Sequence, residues 1–231
     1  MDESMLTKKD LTNSVADQII QIILNKHLKA GDRIPTEVEL MEMMGVGRNT
    51  VREAIKSLTS RNILVVKQGA GTFVANNQGI PEDPLGLTFI GNDSKLALEL
   101  SDVRILIEPA IAEAAAMNAS DGEIEHMAAI CEEIKALAES GASYIEKDLE
   151  LHQYIADCCG NSILRNLGHI LTGASSISIR ITKDRHRDAA FSEHDLIVRA
   201  IKRHDPIGAR YAMVRHLTTG REDIAEQTSD R

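Results

Sequence analysis

Apolar residues recur with helical spacing at the start of the chain. One face of a first helix is formed by four apolar side chains, which are Val15, Ile19, Ile22 and Ile23. Residues three and four positions apart share a helix face, so this spacing predicts an amphipathic helix with one buried side. We expect Thr12 or Asn13 to cap this helix and the helix to end before Gly31.

Two further helices are predicted on either side of a glycine turn. Pro35, Thr36 and Glu39 have the spacing of a capping box, which indicates a short helix that stops at the turn GVG. The next segment, RNTVREAIKSLTSRN, has inward-facing apolar residues at helical spacing, which are Val51, Ile55 and Leu58. Two β-branched runs, ILVVK and TFVA, then flank QGAG and indicate a hairpin. This order of elements over residues 8–75 predicts a winged helix-turn-helix domain.

The pattern changes after the hairpin. Residues 76–93 contain two prolines and three glycines without a clear period, which is typical of a linker. Residues 94–227 then have helical spacing nearly throughout, with Pro109 expected to kink the first helix. The predicted helices are 94–118, 121–139, 143–159, 161–182, 189–204 and 206–227. The predicted fold is therefore mainly α, with an N-terminal winged helix-turn-helix and a C-terminal all-α helical bundle.

The charge is distributed unevenly between these two regions. The whole chain has a net charge of −9, but residues 1–77 hold ten Lys/Arg against nine Asp/Glu, a net of +1. Residues 43–74 contain five basic side chains and one acidic side chain. An acidic protein with a locally basic segment is compatible with nucleic-acid binding by that segment. A solvated helix face would have the same composition, so charge alone leaves both interpretations open.

Cysteine usage and hydropathy limit the cellular location. The three cysteines, Cys131, Cys158 and Cys159, are an odd number and two are adjacent, which fits reduced thiols better than disulfides. The chain has no apolar run of about eighteen residues, the length that a membrane span needs. Its N-terminal residues lack the apolar region of a secretory signal. We therefore expect a cytoplasmic protein that does not enter the membrane.

The predicted helix-turn-helix contains residues suited to reading DNA. In this motif the second helix lies in the major groove and its N-terminal residues contact base edges. Those residues are Arg48, Asn49, Thr50 and Arg52. Arginine binds guanine through two hydrogen bonds and asparagine binds adenine in the same way. Further predicted DNA contacts are Thr36, on a phosphate at a helix start, and the wing residues Lys67, Gln68, Gly69 and Gly71. The alternative is that Arg48 and Arg52 are only solvated surface charges.

The segment DLELH places Asp148 and His152 four residues apart in a predicted helix. Both side chains therefore lie on one helix face and could reach one metal ion. His194 and His216 lie in other predicted helices of the same domain. From spacing alone, each of these histidines is more often a packed or solvated residue than a metal ligand, and DLELH could equally be a charged turn without a function.

The chain resembles a known family over almost its whole length. The segment AGDRIPTEVELMEMMGVGRNTVREAIKSLTSRNILVVKQGAGTFV closely resembles the DNA-binding domain of GntR-family transcription regulators, and the match covers nearly all of residues 8–75. Residues 94–227 resemble the all-helical FCD ligand-binding domain of the FadR subfamily. The resemblance implies a homodimeric transcription regulator, more often a repressor than an activator. Such a protein is not an enzyme; it binds double-stranded operator DNA and a small carboxylate effector.

The resemblance also implies a metal site. Many FCD domains bind one divalent ion through an aspartate and three histidines from three helices, and Asp148, His152, His194 and His216 match these positions. This ligand set suits Zn²⁺, Ni²⁺, Mn²⁺ or Fe²⁺ and does not select one of them. Four protein ligands leave one or two coordination positions, which the carboxylate of a hydroxy acid or sugar acid could fill.

Two arginines are candidates for binding the effector. Arg104, in DVRILIEP, matches a family position that points into the same cavity, and its planar guanidinium suits a carboxylate. Arg180 is a second candidate of this type. Without the resemblance, Arg104 could equally form an exposed ion pair with Asp102 or Glu108.

Two positions depart from the family pattern. Val38 stands where members usually have an arginine that contacts DNA, and Ala70 stands where the wing commonly has a basic residue. Both departures remove contacts to phosphates or bases. We therefore expect an operator preference that differs from the usual palindrome of the family.

Two other functions remain compatible with these residues. A bound Zn²⁺ with an open coordination position could activate water in a metalloenzyme, although no additional general base is evident. In a metal sensor, the ion itself would be the effector. Turnover of acids by the protein would indicate the first of these functions, and an operator response to metal alone would indicate the second.

Overall fold

The structure is a computed structural model that describes residues 8–76, 79–81, 83–87, 94–179 and 187–229. The chain divides into two compact units, Met1–Pro84 and Leu85–Arg231. None of the helices in the described ranges is long and apolar enough to cross a membrane.

The first unit contains three helices and a two-stranded antiparallel sheet. Its elements are α1 (Lys8–Asn25), α2 (Glu37–Met44), α3 (Arg48–Ser60), β1 (Leu64–Lys67) and β2 (Gly71–Val74). In the sheet, Val65 pairs with Phe73 and Lys67 pairs with Gly71. The winged helix-turn-helix that the sequence predicts is confirmed. The predicted cap of α1 is wrong, because the helix begins at Lys8 and Thr12 and Asn13 lie inside it.

Specific residues set the ends of α2. The Thr36 hydroxyl accepts a hydrogen bond from the Glu39 backbone N–H, and the Glu39 carboxylate accepts one from the Thr36 N–H at 2.7 Å. This is the predicted capping box, which satisfies backbone donors that the helix start leaves free. Gly45 ends the helix with a φ of 66°, in the left-handed region that glycine adopts without strain. These two caps fix the short turn that orients α3.

The core of the first unit comes from the apolar faces of its elements. It includes Val15, Ile19, Leu40, Val51, Ile55, Leu58 and Leu64. The inward orientation predicted for the apolar residues of α3 is therefore confirmed. The opposite face of α3 stays exposed, which leaves its polar side chains free to contact a partner.

The second unit is helical, and the residues described in it contain no strand. Its helices are α4 (Ser94–Asn118), α5 (Asp121–Glu139), α6 (Ile145–Asp157), α7 (Ser162–Ile179), α8 (Arg187–Lys202) and α9 (Pro206–Ser229). Each corresponds to a predicted helix, with ends that differ by at most two residues where the structure describes them; the predicted end of the 161–182 helix lies outside the described residues. Pro109 lies inside α4 as expected. The predicted mainly α fold is confirmed.

Helices α4 and α9 are antiparallel neighbours. Asp102 near the start of α4 binds Arg221 of α9, and Glu113 further along α4 binds Arg210 of α9. Higher numbers on one helix thus meet lower numbers on the other. This arrangement places His216, in the middle of α9, beside the middle of α4.

A close helix contact positions α6. A Cβ added at Gly168 of α7 would lie 2.6 Å from Ala156 Cβ on α6 and 3.2 Å from Ile111 Cδ1 on α4. Only glycine allows these helices to approach so closely, since protein interiors are packed without spare volume. The buried core around this contact includes Ile111, Ala115, Leu151, Ile155 and Ile197. It holds α4, α6 and α8 together around their polar residues.

Candidate functional site

The first turn of α3 presents the polar residues predicted to read DNA. Arg48, Asn49 and Thr50 begin the helix, and Arg52 lies one turn later. The side chains of Arg48 and Arg52 are 68% and 65% exposed. Both lie near the Glu37 carboxylate of α2, with Nε–O distances of 3.1 Å and 3.7 Å. Exposed ion pairs contribute little free energy, so both arginines can exchange Glu37 for DNA.

The polar groups of Thr36, which the sequence predicts to bind a phosphate, are already hydrogen-bonded within the protein. Its hydroxyl is within 2.7 Å of Glu39 Oε2, and its backbone N–H donates to the same oxygen. A phosphate would have to displace Glu39 before it could accept a hydrogen bond from Thr36. The residue therefore serves first as the cap of α2.

The wing residues lie at the tip of the β1–β2 hairpin. Gly69 and Gly71 have φ angles of 74° and 119°, which a residue with a side chain adopts only with strain. Lys67 and Gln68 are exposed, and the Lys67 ammonium lies 4.9 Å from the Phe73 ring centroid. The four residues predicted for the wing thus occupy one hairpin end.

Arg33 is a basic residue beside the wing that the sequence analysis did not single out. A Cβ added at Gly71 would lie 2.7 Å from Arg33 Nε, and the Arg33 backbone bridges to Phe73. Its side chain is exposed. The signal in the sequence was weak, because Arg33 lies far from the hairpin along the chain. Its guanidinium places a positive charge beside the wing, in which Ala70 has an uncharged side chain.

The structure brings together the four side chains predicted to bind a metal. Asp148 and His152 come from α6, His194 from α8 and His216 from α9. One potential ligand atom from each lies within 4.8 Å of the others. His152 and His194 are buried, and Asp148 and His216 are half-buried.

Two distances within this cluster are close to those between ligands of one ion. His152 Nε2 lies 3.1 Å from His216 Nε2, and His194 Nε2 lies 2.8 Å from Asp148 Oδ1. Zn²⁺ binds histidine nitrogen at about 2.0–2.1 Å, so two ligands of one ion lie roughly 2.9–3.4 Å apart in octahedral or tetrahedral geometry. Both pairs lie in or close to this range.

Buried histidine nitrogens without hydrogen-bond partners are a second indication of an ion site. Among the described residues, neither ring nitrogen of His194 forms a hydrogen bond, although His194 Nε2 is close to Asp148. Buried polar atoms are normally satisfied, so such atoms need an explanation. Two ligands that point at a common ion are close to each other without facing each other. The donor set therefore fits a divalent transition metal.

Electrostatics at the cluster favour the protonation states that bind metals. Burial and the nearby positive charges of His194 and His152 lower the pKa of His216 to about 4. Burial raises the pKa of Asp148, but its contact with His194 and the charges of the histidines outweigh burial and hold that pKa well below its usual range. At neutral pH His216 is thus neutral and Asp148 ionised, as metal binding requires.

Arg104 forms an ion pair close to the cluster. Its Nε lies 2.5 Å from Glu108 Oε1, and its Nη2 lies 3.4 Å from His152 Nδ1. Glu108 was one of the two partners considered from the sequence, but the pair is not exposed, since the Arg104 and Glu108 side chains are only 14% and 5% exposed. The other candidate, Asp102, binds Arg221. Arg180 lies outside the described residues.

Sequence reasoning gave no role at the site to two buried carboxylates beside the histidines. Glu108 Oε2 lies 2.6 Å from His152 Nδ1, and Glu193 Oε2 lies 3.6 Å from His216 Nδ1. Both glutamates are less than 5% exposed. Charged residues are rarely buried unless paired. The sequence signals were slight: Glu108 is four residues from Arg104, and Glu193 directly precedes His194.

The cysteines are not candidates for the site. All three are free thiols. Burial raises the pKa of Cys131 and of Cys158 to about 12. Metal binding needs the thiolate, which these two residues do not supply at neutral pH.

Two histidines outside the cluster have other partners. His169 Nε2 lies 2.8 Å from Asp157, and His204 Nδ1 lies 3.0 Å from the Ala116 carbonyl. His186 is outside the described residues. Neither His169 nor His204 belongs to the group that could hold a metal ion.

Family models match both units. The model for bacterial regulatory proteins of the gntR family matches residues 11–74, and the FCD domain model matches residues 99–219. The FCD match alone covers more than half of the chain.

Individual proteins match over most of their length. The transcriptional repressor NanR of Citrobacter rodentium is 28% identical over an alignment of 228 residues, gaps included, that covers 93% of this chain and 85% of NanR. NanR of Escherichia coli K12 is 27% identical, with 93% and 84% coverage. Among solved structures, a Streptococcus agalactiae GntR protein has a TM-score of 0.79 and 31% identity, covering 91% of this chain and 99% of that one.

A more distant structure shows the same fold. The Escherichia coli protein McbR/YncC has a TM-score of 0.50 and 18% identity, with 94% and 98% coverage. Together with the two family matches, these similarities explain why a winged helix-turn-helix and a helical bundle occur in one chain. The chain belongs to the GntR family of bacterial transcription regulators, has an FCD domain of the FadR-like type, and is not an enzyme.

Proposed function

We propose that this protein is a transcriptional repressor whose operator binding is controlled by a small carboxylate. In this proposal, residues 8–75 bind DNA, residues 76–93 connect, and residues 94–227 bind the effector and form the dimer. Its similarity to NanR, which is named as a repressor, supports repression over activation. The observation that carries the effector proposal is the buried cluster of one aspartate and three histidines.

The cluster suits a metal-bound carboxylate. One divalent ion (Zn²⁺, Ni²⁺, Mn²⁺ or Fe²⁺) held by Asp148, His152, His194 and His216 would keep one or two coordination positions for other ligands. When bound, the ion would supply a positive charge that attracts the carboxylate oxygens of a hydroxy acid or sugar acid. Arg104 carries five N–H donors, and its contacts with Glu108 leave some of them for the same acid.

The DNA part of the proposal rests on the exposed start of α3 and the wing. We propose that Arg48, Asn49, Thr50 and Arg52 enter the major groove and that the wing residues Lys67, Gln68, Gly69 and Gly71 follow the adjacent backbone. Arg33 would reinforce the wing. Val38 and Ala70 are both exposed, so a bound DNA could reach the two positions that depart from the family pattern.

An operator-release experiment tests the proposed control. An operator would first be selected from random double-stranded DNA, and binding would then be followed by fluorescence anisotropy at fixed salt. The chelated protein and protein reloaded with Zn²⁺, Ni²⁺ or Mn²⁺ would each be titrated with lactate, citrate, gluconate and glucuronate. We expect at least one acid to weaken operator binding of a metal-loaded form and to have no effect on the chelated form.

Other results of that experiment identify other functions. A change in operator affinity with metal alone, and no further change with any acid, would make the ion itself the effector. Equal responses of the chelated and loaded proteins to an acid would contradict a metal-bound carboxylate.

An apolar surface on the helical unit supports a homodimer. Val103, Leu106 and Met117 lie on one face of α4, and Ile207 and Tyr211 lie one turn apart on α9. We call these five residues the α4/α9 surface. Leu106 is 73% exposed and Tyr211 is 70% exposed. Exposed apolar residues on neighbouring helices, with tyrosine and methionine among them, are typical of protein interfaces. We propose that a second copy of the chain covers this surface.

Leu106→Glu should therefore dissociate the dimer. A charge within an apolar interface would have to be buried without a partner, which is costly. We expect the molar mass from light scattering at micromolar concentration to fall from that of two chains toward that of one. Operator affinity should fall with it, because a single winged module contacts too little DNA for tight specific binding.

Ile163→Glu is the matched control. Ile163 is 67% exposed on α7 and lies outside the α4/α9 surface. Its replacement should leave the mass and operator affinity unchanged. A Leu106→Glu variant that remains dimeric would contradict the proposal that a second copy covers the α4/α9 surface. An equal fall in molar mass and operator affinity in both variants would contradict it as well.

A further inference from the structure

We propose that Glu108 and Glu193 are positioning residues that orient His152 and His216 toward the metal ion, and that Arg104 holds Glu108 for this task. The inference rests on the proposed metal site. It adds two carboxylates on α4 and α8 that do not themselves belong to the ligand group. It also gives Arg104 a role that does not require an effector.

Glu108 determines which ring nitrogen of His152 has a lone pair available to a metal ion. Glu108 Oε2 lies 2.6 Å from His152 Nδ1, so the histidine N–H points to the carboxylate. A neutral imidazole has one N–H, and its other nitrogen then has a lone pair to offer. That nitrogen, Nε2, lies 3.1 Å from His216 Nε2 and therefore faces the proposed ion. Metal-bound histidines commonly donate the N–H of their second ring nitrogen to a carboxylate in this way.

Arg104 makes a buried Glu108 possible. The guanidinium contacts both oxygens of Glu108, at 2.5 Å and 3.3 Å, from the preceding turn of α4. An isolated carboxylate at this depth would carry a large desolvation cost, which a paired guanidinium offsets. The same contacts fix the plane of the carboxylate. Glu108 can therefore hold the His152 ring in a single orientation.

Glu193 has the corresponding place behind His216. Its Oε1 accepts hydrogen bonds from Arg215 Nε at 3.2 Å and from Thr219 Oγ1 at 3.0 Å, both on the same helix as His216. Its Oε2 is buried, lies 3.6 Å from His216 Nδ1, and has no hydrogen-bond partner among the described residues. His216 Nδ1 is buried and equally without a hydrogen bond. A ring shift of less than 1 Å on metal binding would join the two atoms within ordinary hydrogen-bond distance.

The test measures metal affinity in full-length variants. Glu108→Gln and Glu193→Gln keep the side-chain shape and remove the negative charge. Affinity for Zn²⁺ would be measured by competition with a chromophoric chelator, and Co²⁺ would report the geometry through its visible absorption spectrum. We expect each variant to bind Zn²⁺ about 10- to 100-fold more weakly than the wild type and to shift the Co²⁺ spectrum.

Glu113→Gln is the control for loss of a Glu–Arg pair on α4. Glu113 binds Arg210 of α9 and does not belong to the group that could hold a metal ion. It should keep the wild-type Zn²⁺ affinity and Co²⁺ spectrum. A merely structural role for Glu108 would lower the melting temperature of the metal-free protein without changing the spectrum. If Glu108→Gln does not fold, the affinity and spectrum of Glu193→Gln decide.

The outcomes separate this inference from the proposed metal site. Zn²⁺ affinity and Co²⁺ spectra like those of the wild type in the folded glutamate variants would overturn the positioning role and leave the metal site standing. A wild type that binds neither ion, or a His216→Ala variant that binds both as the wild type does, would overturn the metal site and the inference with it.

Discussion

Removal of the divalent ion should destabilise the whole helical unit. A ligand that binds only the folded protein adds about 2.7 kcal/mol to the free energy of unfolding at a hundredfold excess over its Kd. The ion would join α6, α8 and α9, so its loss affects three helices together. We expect the melting temperature of the Zn²⁺-loaded wild type to fall on chelation, as followed by circular dichroism.

His194→Ala should reproduce the chelated state. The variant loses a buried ligand whose two ring nitrogens have no hydrogen-bond partner among the described residues. Its melting temperature should not respond to Zn²⁺ or to chelator. His169→Ala is the control, because His169 lies outside the ligand group, and this variant should respond as the wild type does. A His194→Ala protein that Zn²⁺ still stabilises would contradict the proposed ligand set.

The stabilisation by metal should decline in acid. The histidines bind the ion in their neutral form, so protons compete with the metal for these nitrogens as the pH falls. In the metal-free protein, burial lowers the pKa of His216 to about 4. In the unfolded chain the same histidine has an unperturbed pKa of about 6.5 and binds its proton more readily, so the metal-free form also loses stability as the pH falls from about 6.5 to about 4. Loss of the metal and protonation of His216 in the unfolded chain therefore both lower the free energy of unfolding as the pH falls.

Arg48→Ala should weaken specific DNA binding by about 1–3 kcal/mol if the arginine makes two hydrogen bonds to guanine. The side chain is exposed at the first position of α3, and its partner in the free protein is the partly exposed Glu37. The loss should therefore appear in operator affinity and not in protein stability. Anisotropy titrations at fixed salt, with the selected operator and with unrelated DNA, would measure it.

Arg61→Ala controls for the removal of one positive charge. Arg61 caps the other end of α3, roughly 20 Å along the helix axis from Arg48. It should change affinity for the operator and for unrelated DNA by similar small factors. If Arg48→Ala discriminates between the two DNAs as well as the wild type does, Arg48 contacts only phosphates or none at all.

The sequence predicted the elements well because their signals are local. The capping box of Thr36 and Glu39, the glycine turn at Gly45 and the hairpin glycines each act within a few residues. The start of α1 was missed because an apolar stripe marks the buried face of a helix and not its first residue. Helix ends in the second unit differ by small amounts for the same reason.

The contacts of the candidate site could not be predicted from patterns within single helices. The four proposed ligands came from a family resemblance, since spacing links only Asp148 to His152. Glu193 is adjacent to His194 along the chain but supports His216 on another helix, because consecutive helical residues point in different directions. Glu108 reaches His152 only through the packing of α4 on α6. No periodicity within one helix encodes such contacts.

The spread of the ligands along the chain has a kinetic consequence. His152 and His216 are 64 positions apart, and helices α7, α8 and most of the first half of α9 lie between them. Bringing such distant segments together costs chain entropy before any ion can be chelated by both. A bound ion would therefore gain its full set of contacts only late in folding. Its contribution to stability would fall mainly on the rate of unfolding.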